Sequence, residues 1–157
     1  MNNKTLFNNI KTVFALFIIA GLISACSNST SGEEQEHPEA EGLVLKLNGD
    51  TIVEKYPDQE IINNFPELTT GDETAAIQVY FIDHDGDEFI PDEEGLSLDF
   101  EISDNNVFEI EQHEGEMWEF HVHAHSEGTA TLKIFLMHNG HPDFEIPAFP
   151  ITVNAAE

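Results

Sequence analysis

WEFHVHAHSEGTATLKIFLM (residues 118–137) is the stretch of this sequence that best defines its fold. Apolar and polar side chains alternate through residues 118–125, and successive side chains of a β-strand point to opposite faces of its sheet. A second strand-like segment follows the turn signal Glu127-Gly128. The sequence therefore predicts a strand whose inward face carries Trp118, Phe120, Val122 and Ala124, and whose outward face carries Glu119, His121, His123 and His125.

The same β pattern continues through the rest of the chain after residue 42. Turn signals separate the segments, and no stretch in this region repeats apolar residues at helical spacing. About seven short strands with turns every 8–12 residues are typical of an antiparallel β-sandwich. We therefore expect an all-β fold with one domain over residues 42–154. The other strand-like segments are LVLKLNG (43–49), TIVEKY (51–56), AAIQVYFI (75–82), LSLDFEI (96–102), VFEIE (107–111), TATLKIFLM (129–137) and FPITV (149–153).

Three segments of this domain resemble the group 2 bacterial Ig-like domains, the invasin and intimin type. They are LSLDFEISDNNVFEIE (96–111), SEGTATLKIFL (126–136) and FPITV (149–153). In this resemblance, residues 104–107 correspond to the turn between strands C and D, and residues 128–132 correspond to the start of strand F. The resemblance implies a single Ig-like antiparallel β-sandwich and a role as an adhesive or spacer module. It does not imply metal binding.

Residues 1–25 are expected to be a lipoprotein signal peptide. Lys4 and Lys11 accompany an apolar run at 13–23 that is too short to span a bilayer comfortably. The sequence Ile-Ser-Ala-Cys at 23–26 resembles the lipobox of bacterial lipoproteins. That resemblance implies cleavage before Cys26, transfer of a diacylglycerol to its thiol, and acylation of its new amine with a fatty acid such as palmitate. The alternative is a membrane-anchor helix with a chance cysteine.

Residues 26–41 are expected to comprise the lipidated cysteine and an acidic flexible tether, because the residues that follow Cys26 are small, polar or acidic. Membrane attachment through the lipid on Cys26 predicts a location in the bacterial cell envelope. We expect the outer membrane, either on its periplasmic face or on the cell surface.

The charge balance is strongly acidic, with 31 aspartates and glutamates against 5 lysines, no arginine and a formal net charge of −26. Such a surface repels nucleic acid and anionic lipid headgroups, and it favours cations. Nucleic acid is therefore not an expected partner. The alternative explanation is adaptation to a salty habitat, where dense carboxylates keep a protein hydrated.

Two histidine clusters are candidates for a transition-metal site. Imidazole nitrogens and carboxylate oxygens are ligands that Zn²⁺ and Cu²⁺ accept. One cluster is the outward face of the strand at 118–125, and the other surrounds the tight turn Asn139-Gly140. The predicted ligands are His138 and His141 with the nearby Asp143, then His121 as the third imidazole, with His123 as its substitute if the site lies on the sheet face.

Carboxylates are predicted beside the strand histidines. If a loop at 113–117 joins strands D and E, Glu111 lies opposite Glu119 and Glu109 lies opposite His121. The B–C, D–E and F–G loops of an Ig-like domain gather at one end of the sandwich, and this end is predicted to collect His84, His113, His138 and His141. The alternative interpretation is an exposed polar strand whose histidines pair with neighbouring glutamates.

DHDGDEFIPDEE (83–94) resembles an EF-hand calcium loop, with Asp83, Asp85 and Asp87 at the first, third and fifth positions. It departs from that pattern because Glu88 replaces the glycine of the sixth position and because strands are predicted around it. Weak Ca²⁺ binding by the three aspartates is one interpretation. An acidic hairpin loop without an ion is the other.

We expect the protein not to be an enzyme, because the sequence contains no recognisable pairing of nucleophile and base, no phosphate loop and no cofactor motif. The expected function is that of a monomeric, lipid-anchored envelope protein that binds Zn²⁺ or Cu²⁺ for metal capture or hand-over. Its expected partner is an outer-membrane metal transporter or another envelope protein. The alternative is an Ig-like adhesion or interaction module without a functional metal site.

Overall fold

The computed structural model describes residues 38–157, and the predicted signal peptide, Cys26 and most of the predicted tether lie outside this range. Residues 38–157 contain no helix that is long and apolar enough to cross a membrane. Their regular elements are twelve strands: β1 (Gly42–Leu47), β2 (Asp50–Lys55), β3 (Ile62–Asn63), β4 (Leu68–Thr69), β5 (Ile77–Ile82), β6 (Glu88–Phe89), β7 (Leu96–Ile102), β8 (Phe108–Glu111), β9 (Glu119–Ala124), β10 (Gly128–His138), β11 (His141–Glu145) and β12 (Phe149–Asn154).

The strands form two sheets. In sheet A the order is β3-β2-β1-β5-β9-β8, with β6 paired to β5, and in sheet B the order is β11-β10-β12-β4, with β7 paired to β10. All pairs are antiparallel except that of β4 with β12. The neighbours β1-β5-β9-β8 and β7-β10-β12 follow the order of strands A-B-E-D and C-F-G in Ig domains. The prediction of an Ig-like β-sandwich is confirmed, although the described residues contain more strands than the seven or so expected.

The core lies between the two sheets and is built by the alternation that the sequence shows. In β9, the inward side chains Phe120, Val122 and Ala124 are buried. The largest aromatic group surrounds Phe81 of β5, which is fully buried. Its ring centroid lies 5.8 Å from that of Trp118 and 6.2 Å from that of Phe144. Because Phe144 belongs to β11, this contact connects sheet A with sheet B.

The predicted register of β8 against β9 is wrong by two residues. Glu111 lies opposite His121 and Glu109 lies opposite His123. The connection between the two strands contains two consecutive turns, in which the N–H of Glu116 donates to the carbonyl oxygen of His113 at 3.1 Å and the N–H of Glu119 donates to that of Glu116 at 3.3 Å. The connecting loop is therefore longer than expected. Because the register shifts by two residues, the same side chains stay on the outer face of the sheet.

The predicted turn at residues 104–107 joins β7 to β8. Its backbone closes through a hydrogen bond from the N–H of Val107 to the carbonyl oxygen of Asp104 at 3.1 Å. The Asp104 carboxylate accepts hydrogen bonds from the backbone N–H of Asn106 at 2.9 Å and from its side-chain amide at 2.8 Å. These two hydrogen bonds hold the pKa of Asp104 below its ordinary value, and the bond from the backbone N–H has the larger effect. The carboxylate form thus stabilises this turn.

Gly42 occupies the point where β1 lies closest to its neighbours. A Cβ atom here would lie 2.3 Å from the carbonyl oxygen of Lys55 and 3.0 Å from the Cβ of Ile82. We expect Gly42→Ala to lower the free energy of unfolding by about 1–3 kcal/mol, because the strands must move apart. Urea denaturation measures this loss.

Gly71→Ala is the control for Gly42→Ala. A Cβ on Gly71 would meet no atom within 4 Å, so that only the φ of +91° opposes the substitution. A loss for Gly42→Ala no larger than that for Gly71→Ala would contradict the expected clash.

Candidate metal centre

One set of three metal-ligating side chains comes together within residues 38–157. It consists of His113, Glu116 and His121, whose ligand atoms all lie within 4.8 Å of one another. His113 and Glu116 belong to the exposed loop between β8 and β9, and His121 belongs to β9. This cluster can hold a metal ion, since imidazole nitrogens and carboxylate oxygens are common ligands of divalent metals.

A tight turn brings the two loop ligands together. The backbone N–H of Glu116 donates to the carbonyl oxygen of His113 at 3.1 Å, so that the two residues are the ends of one β-turn. Gly115, at the third position, has a φ of +93°, which a type II turn requires and glycine adopts without strain. The ends of a β-turn have Cα atoms less than about 7 Å apart, and both side chains can therefore reach the same ion.

The side-chain amide of Gln112 hydrogen-bonds to the second half of this loop. Its side-chain Nε2 lies 3.1 Å from the carbonyl oxygen of Glu116, 2.9 Å from that of Met117 and 3.3 Å from that of Glu119. The amide thus donates across the loop to carbonyl groups that would otherwise face water. The position of Glu116 relative to β9 depends on these hydrogen bonds of Gln112.

His121 has a fixed ring orientation. Its Nδ1 lies 2.9 Å from the carbonyl oxygen of Thr74. Because a carbonyl oxygen only accepts hydrogen bonds, Nδ1 is the protonated nitrogen in this bond, and the neutral ring keeps a free lone pair on Nε2. That Nε2 lies 4.0 Å from Glu116 Oε2. Metal-binding histidines commonly donate their second ring N–H to a backbone carbonyl in the same way.

Thr74 is held in place by two hydrogen bonds to β9. Its backbone N–H donates to the carbonyl oxygen of Val122 at 3.1 Å, and its hydroxyl accepts from the N–H of Val122 at 3.0 Å. Thr74 is buried, and the preceding residues continue the pairing, with the N–H of Gly71 donating to the carbonyl oxygen of Ala124 at 2.8 Å. The carbonyl group that orients His121 therefore belongs to a segment that is hydrogen-bonded to β9.

The surroundings of the cluster are negatively charged. Glu111 Oε1 lies 3.7 Å from Nδ1 of His113, and Glu73 Oε1 lies 4.0 Å from Nδ1 of His121. The lysines of the described chain make their contacts elsewhere, with Glu88, with the carbonyl oxygen of Tyr56 and with Glu145. The site therefore presents several carboxylates with no lysine among their contacts, an arrangement that attracts cations.

The other predicted ligands lie around the β10–β11 hairpin. His138 Nδ1 is 3.2 Å from Asp143 Oδ2, and His138 Nε2 is 3.8 Å from Glu93 Oε1. His141 is opposite His138 in the strand register and is exposed. The structure thus brings His138 to Asp143, but it groups His121 with the β8–β9 loop. The physical reason is that β9 belongs to sheet A, whereas β10 and β11 belong to sheet B.

The remaining strand histidines lie beside glutamates. His123 Nε2 is 2.7 Å from Glu111 Oε2, and His125 Nε2 is 3.3 Å from Glu109 Oε1. Both contacts run diagonally between β8 and β9 on the outer face of sheet A. They are the contacts that the alternative interpretation, a polar strand with paired histidines, predicts.

The acidic loop at 83–87 uses its first aspartate to shape the backbone. Asp83 Oδ1 accepts hydrogen bonds from the backbone N–H of Asp85 at 3.0 Å and of Asp87 at 2.9 Å. These bonds help to close the hairpin between β5 and β6, and they give the Asp83 carboxylate a structural role without an ion. Calcium binding by Asp83, Asp85 and Asp87 stays a prediction.

Sequence reasoning assigned His113 and Glu116 to the D–E loop but not to a metal site. The signal that identifies them is the sequence His-Glu-Gly-Glu at 113–116, in which glycine occupies the third position of a turn. Such a turn brings its first and last residues together directly before a strand that carries histidines on one face.

Comparisons with known proteins give little further guidance. No protein-family model and no curated protein sequence matches this chain. Among solved structures, the chain is similar to domains 4 and 5 of the S-layer protein SbsC, with a TM-score of 0.42 and 14% sequence identity. The similarity covers 66% of this chain and 64% of that chain, which is slightly less than two thirds of its length. The identification of the β-sandwich rests on the strand pairing described above.

Proposed function

We propose that this protein is a lipid-anchored envelope protein that binds a divalent transition metal, Zn²⁺ or Cu²⁺, through His113, Glu116 and His121. The observation that carries the proposal is the hydrogen bond of 2.9 Å from His121 Nδ1 to the Thr74 carbonyl oxygen. It leaves the Nε2 lone pair free on the side of Glu116, as a metal ligand requires.

The geometry suits an ion that is captured and handed over. Structural zinc sites are usually closed by four protein ligands, whereas three ligands leave a coordination position open to water or to a partner's ligand. His113 and Glu116 lie in an exposed loop, so that an ion bound there can be reached from solvent. The proposal is binding rather than catalysis, because a hydrolytic metal site needs a general base and a shaped cavity for the substrate besides an open coordination position.

The envelope location and the partner are proposed from the N-terminal sequence. The lipobox-like residues 23–26 support attachment through Cys26, and the acidic residues after them support a flexible tether. A tethered, metal-binding domain fits delivery to or from an outer-membrane metal transporter or another envelope protein.

Titration of the full-length protein with Zn²⁺, Cu²⁺, Ca²⁺ and Mg²⁺ tests this function. We expect Zn²⁺ or Cu²⁺ to bind with a micromolar or lower Kd, and binding to weaken below about pH 6, because the neutral imidazole is the ligand. Carboxylates alone would prefer Ca²⁺ or Mg²⁺ and would keep binding at lower pH. Absence of Zn²⁺ and Cu²⁺ binding, or a preference for Ca²⁺, would contradict the proposal.

A second candidate function is that of an Ig-like interaction module. Ile90 and Met117 are large apolar side chains with 49% and 53% exposure. Clefts surround the segment that leads into β7, and one of them, of about 500 Å³, is lined by Leu96, Leu136 and Phe144. This function is favoured if the titration shows no bound transition metal.

The hydrogen bonds of Gln112 to the loop give a prediction for a substitution that leaves all three metal ligands in place. We expect Gln112→Ala to weaken Zn²⁺ binding about tenfold, since residues that hold metal ligands in place commonly affect affinity 10–100-fold. Gln59→Ala is the matched control, because Gln59 lies in the turn between β2 and β3 and its side chain is exposed. Calorimetric titration of both variants measures the effect. Equal Zn²⁺ affinities of the two variants would mean that the hydrogen bonds of Gln112 do not position Glu116.

A further inference from the structure

We propose that a second divalent metal ion binds beside the first, on the outer face of sheet A, at His123, Glu111 and Glu109. This inference deepens the proposed function and rests on it. It makes the β8–β9 face a two-ion site in which the loop ligands His113 and Glu116 serve the first ion and the strand residues serve the second.

The first observation concerns His123 Nε2. This atom is buried, although the side chain as a whole is 23% exposed, and it has no hydrogen-bond partner among the described residues. Glu111 Oε2 lies only 2.7 Å away, but outside the direction that a hydrogen bond from the ring requires. Buried polar atoms without a hydrogen bond are uncommon. A nitrogen lone pair and a carboxylate oxygen at this distance repel each other, and a proton or a cation between the two atoms removes that repulsion.

The two atoms need little movement to share an ion. Nitrogen and oxygen ligands lie about 2.0–2.2 Å from Zn²⁺, and two such ligands of a tetrahedral site are roughly 3.3 Å apart. The Glu111 side chain is half-exposed, so it can rotate outward from its present 2.7 Å contact. Glu73 Oε2 lies 3.9 Å from His123 Nδ1, so a second carboxylate adds negative charge on the other side of the ring.

The second observation concerns the two oxygens of Glu111. Oε2 faces His123, whereas Oε1 lies 3.7 Å from Nδ1 of His113, which belongs to the first site. One carboxylate thus reaches from one candidate site to the other, which is how bridging carboxylates serve two-metal sites with ions about 3.5–4 Å apart. Glu109 is the strand partner of His123, and directly opposite residues of a sheet have Cβ atoms about 4.5–5.5 Å apart. Its Oε1 lies 3.3 Å from His125 Nε2, and rotation of this exposed side chain toward His123 supplies the third ligand.

The third observation is the charge of this face. Four carboxylates contact its histidines: Glu73, Glu109, Glu111 and Glu116. No lysine of the described chain contacts them. One divalent ion leaves this group with a net charge of about −2, and two ions neutralise it, which lowers the repulsion among the carboxylates.

Equilibrium dialysis of the full-length protein against ZnCl₂, followed by a count of bound zinc per chain, tests the proposal. We expect two ions for the unchanged protein. We expect one ion for His123→Ala and one ion for Glu111→Gln, an exposed and nearly isosteric change that does not threaten folding. His125→Ala is the matched control, because it removes an imidazole from the same strand face. It also frees Glu109 from its contact of 3.3 Å with His125, and it should leave two ions bound.

The outcomes separate this inference from the proposed function. A single ion that is lost in His113→Ala but kept in His123→Ala would overturn the second position and leave the first intact. A single ion that depends on His123 and not on His113 would overturn both the two-ion site and the proposed location of the first ion. No bound zinc at all would contradict the two proposals together. A count of two that persists in both His123→Ala and Glu111→Gln would overturn the ligands named here.

Discussion

Replacing His113 and His121 together with alanine is expected to weaken the tighter Zn²⁺ or Cu²⁺ site at least hundredfold, which corresponds to about 2.8 kcal/mol of binding free energy. The double change leaves Glu116 as the one remaining ligand of the three whose atoms lie within 4.8 Å of one another. A single exposed carboxylate has little preference for a transition metal over the ions that oxygen ligands favour. Calorimetric titration at neutral pH measures the loss.

The matched control is the double change of His138 and His141 to alanine. It also removes two imidazoles, but from the β10–β11 hairpin, where His138 lies 3.2 Å from Asp143. We expect this variant to keep the affinity of the unchanged protein. If the control loses affinity and the variant of His113 and His121 does not, the site lies at His138, His141 and Asp143, as the sequence first predicted. Thermal unfolding of both variants shows whether either change disturbs the fold.

Replacing Phe81 with alanine is expected to lower the free energy of unfolding by about 3–5 kcal/mol. Phe81 is fully buried, and its ring packs edge-on against Trp118 at 5.8 Å and against Phe144 at 6.2 Å. The substitution leaves a cavity where the two sheets meet, and the strands on either side cannot close it without losing their pairing. Since domains of this size are stable by about 5–15 kcal/mol, the loss is a large part of the total.

Phe135→Ala is the control for the core prediction. Phe135 is half-buried and lies beneath the ammonium group of Lys133, which is 4.9 Å from its ring centroid. We expect a loss of about 1 kcal/mol or less there, because this side chain lies on the outer face of sheet B and its removal leaves no cavity in the core. Urea denaturation followed by far-ultraviolet circular dichroism compares the two variants. Equal losses would mean that Phe81 is not the central contact between the sheets.

The fold could be predicted because two of its longer strands, β9 and β10, alternate clearly between buried and less buried side chains. In β9 and β10 every second side chain is buried, and this pattern is visible in the sequence alone. The strands β3, β4 and β6 have two residues each, which is too short for any periodicity. Their pairing depends on neighbours that are distant in the chain, and it could not be predicted from local composition.

The register of β8 and β9 could not be decided from the sequence for a different reason. A shift of two residues keeps Glu109, Glu111, His121 and His123 on the outer face, so the hydrophobic pattern is the same for both registers. What differs between them is the length of the connection, which contains two consecutive turns over residues 113–119. That length depends on backbone turns and on the hydrogen bonds of Gln112, which the hydrophobic pattern does not show.

The candidate metal centre was predicted in part. The position of His121 on the outer face of a strand follows from alternation, and the structure agrees. Its grouping with His113 and Glu116 depends on the geometry of one turn and on the direction of two loop side chains. The sequence favoured His138 and His141 because their turn was easier to recognise, but closeness along the chain did not bring His121 to them.

The separation of the two faces of β9 has a consequence for how this protein can change. Phe120, Val122 and Ala124 determine whether the domain folds, and they lie on the opposite side of the strand from His121 and His123. Substitutions of the exposed loop ligands His113 and Glu116 alter no volume in the core, so selection or an experimenter can exchange imidazole and carboxylate there with little loss of stability. Ion preference can then move from soft to hard cations through single steps, each of which leaves a folded protein.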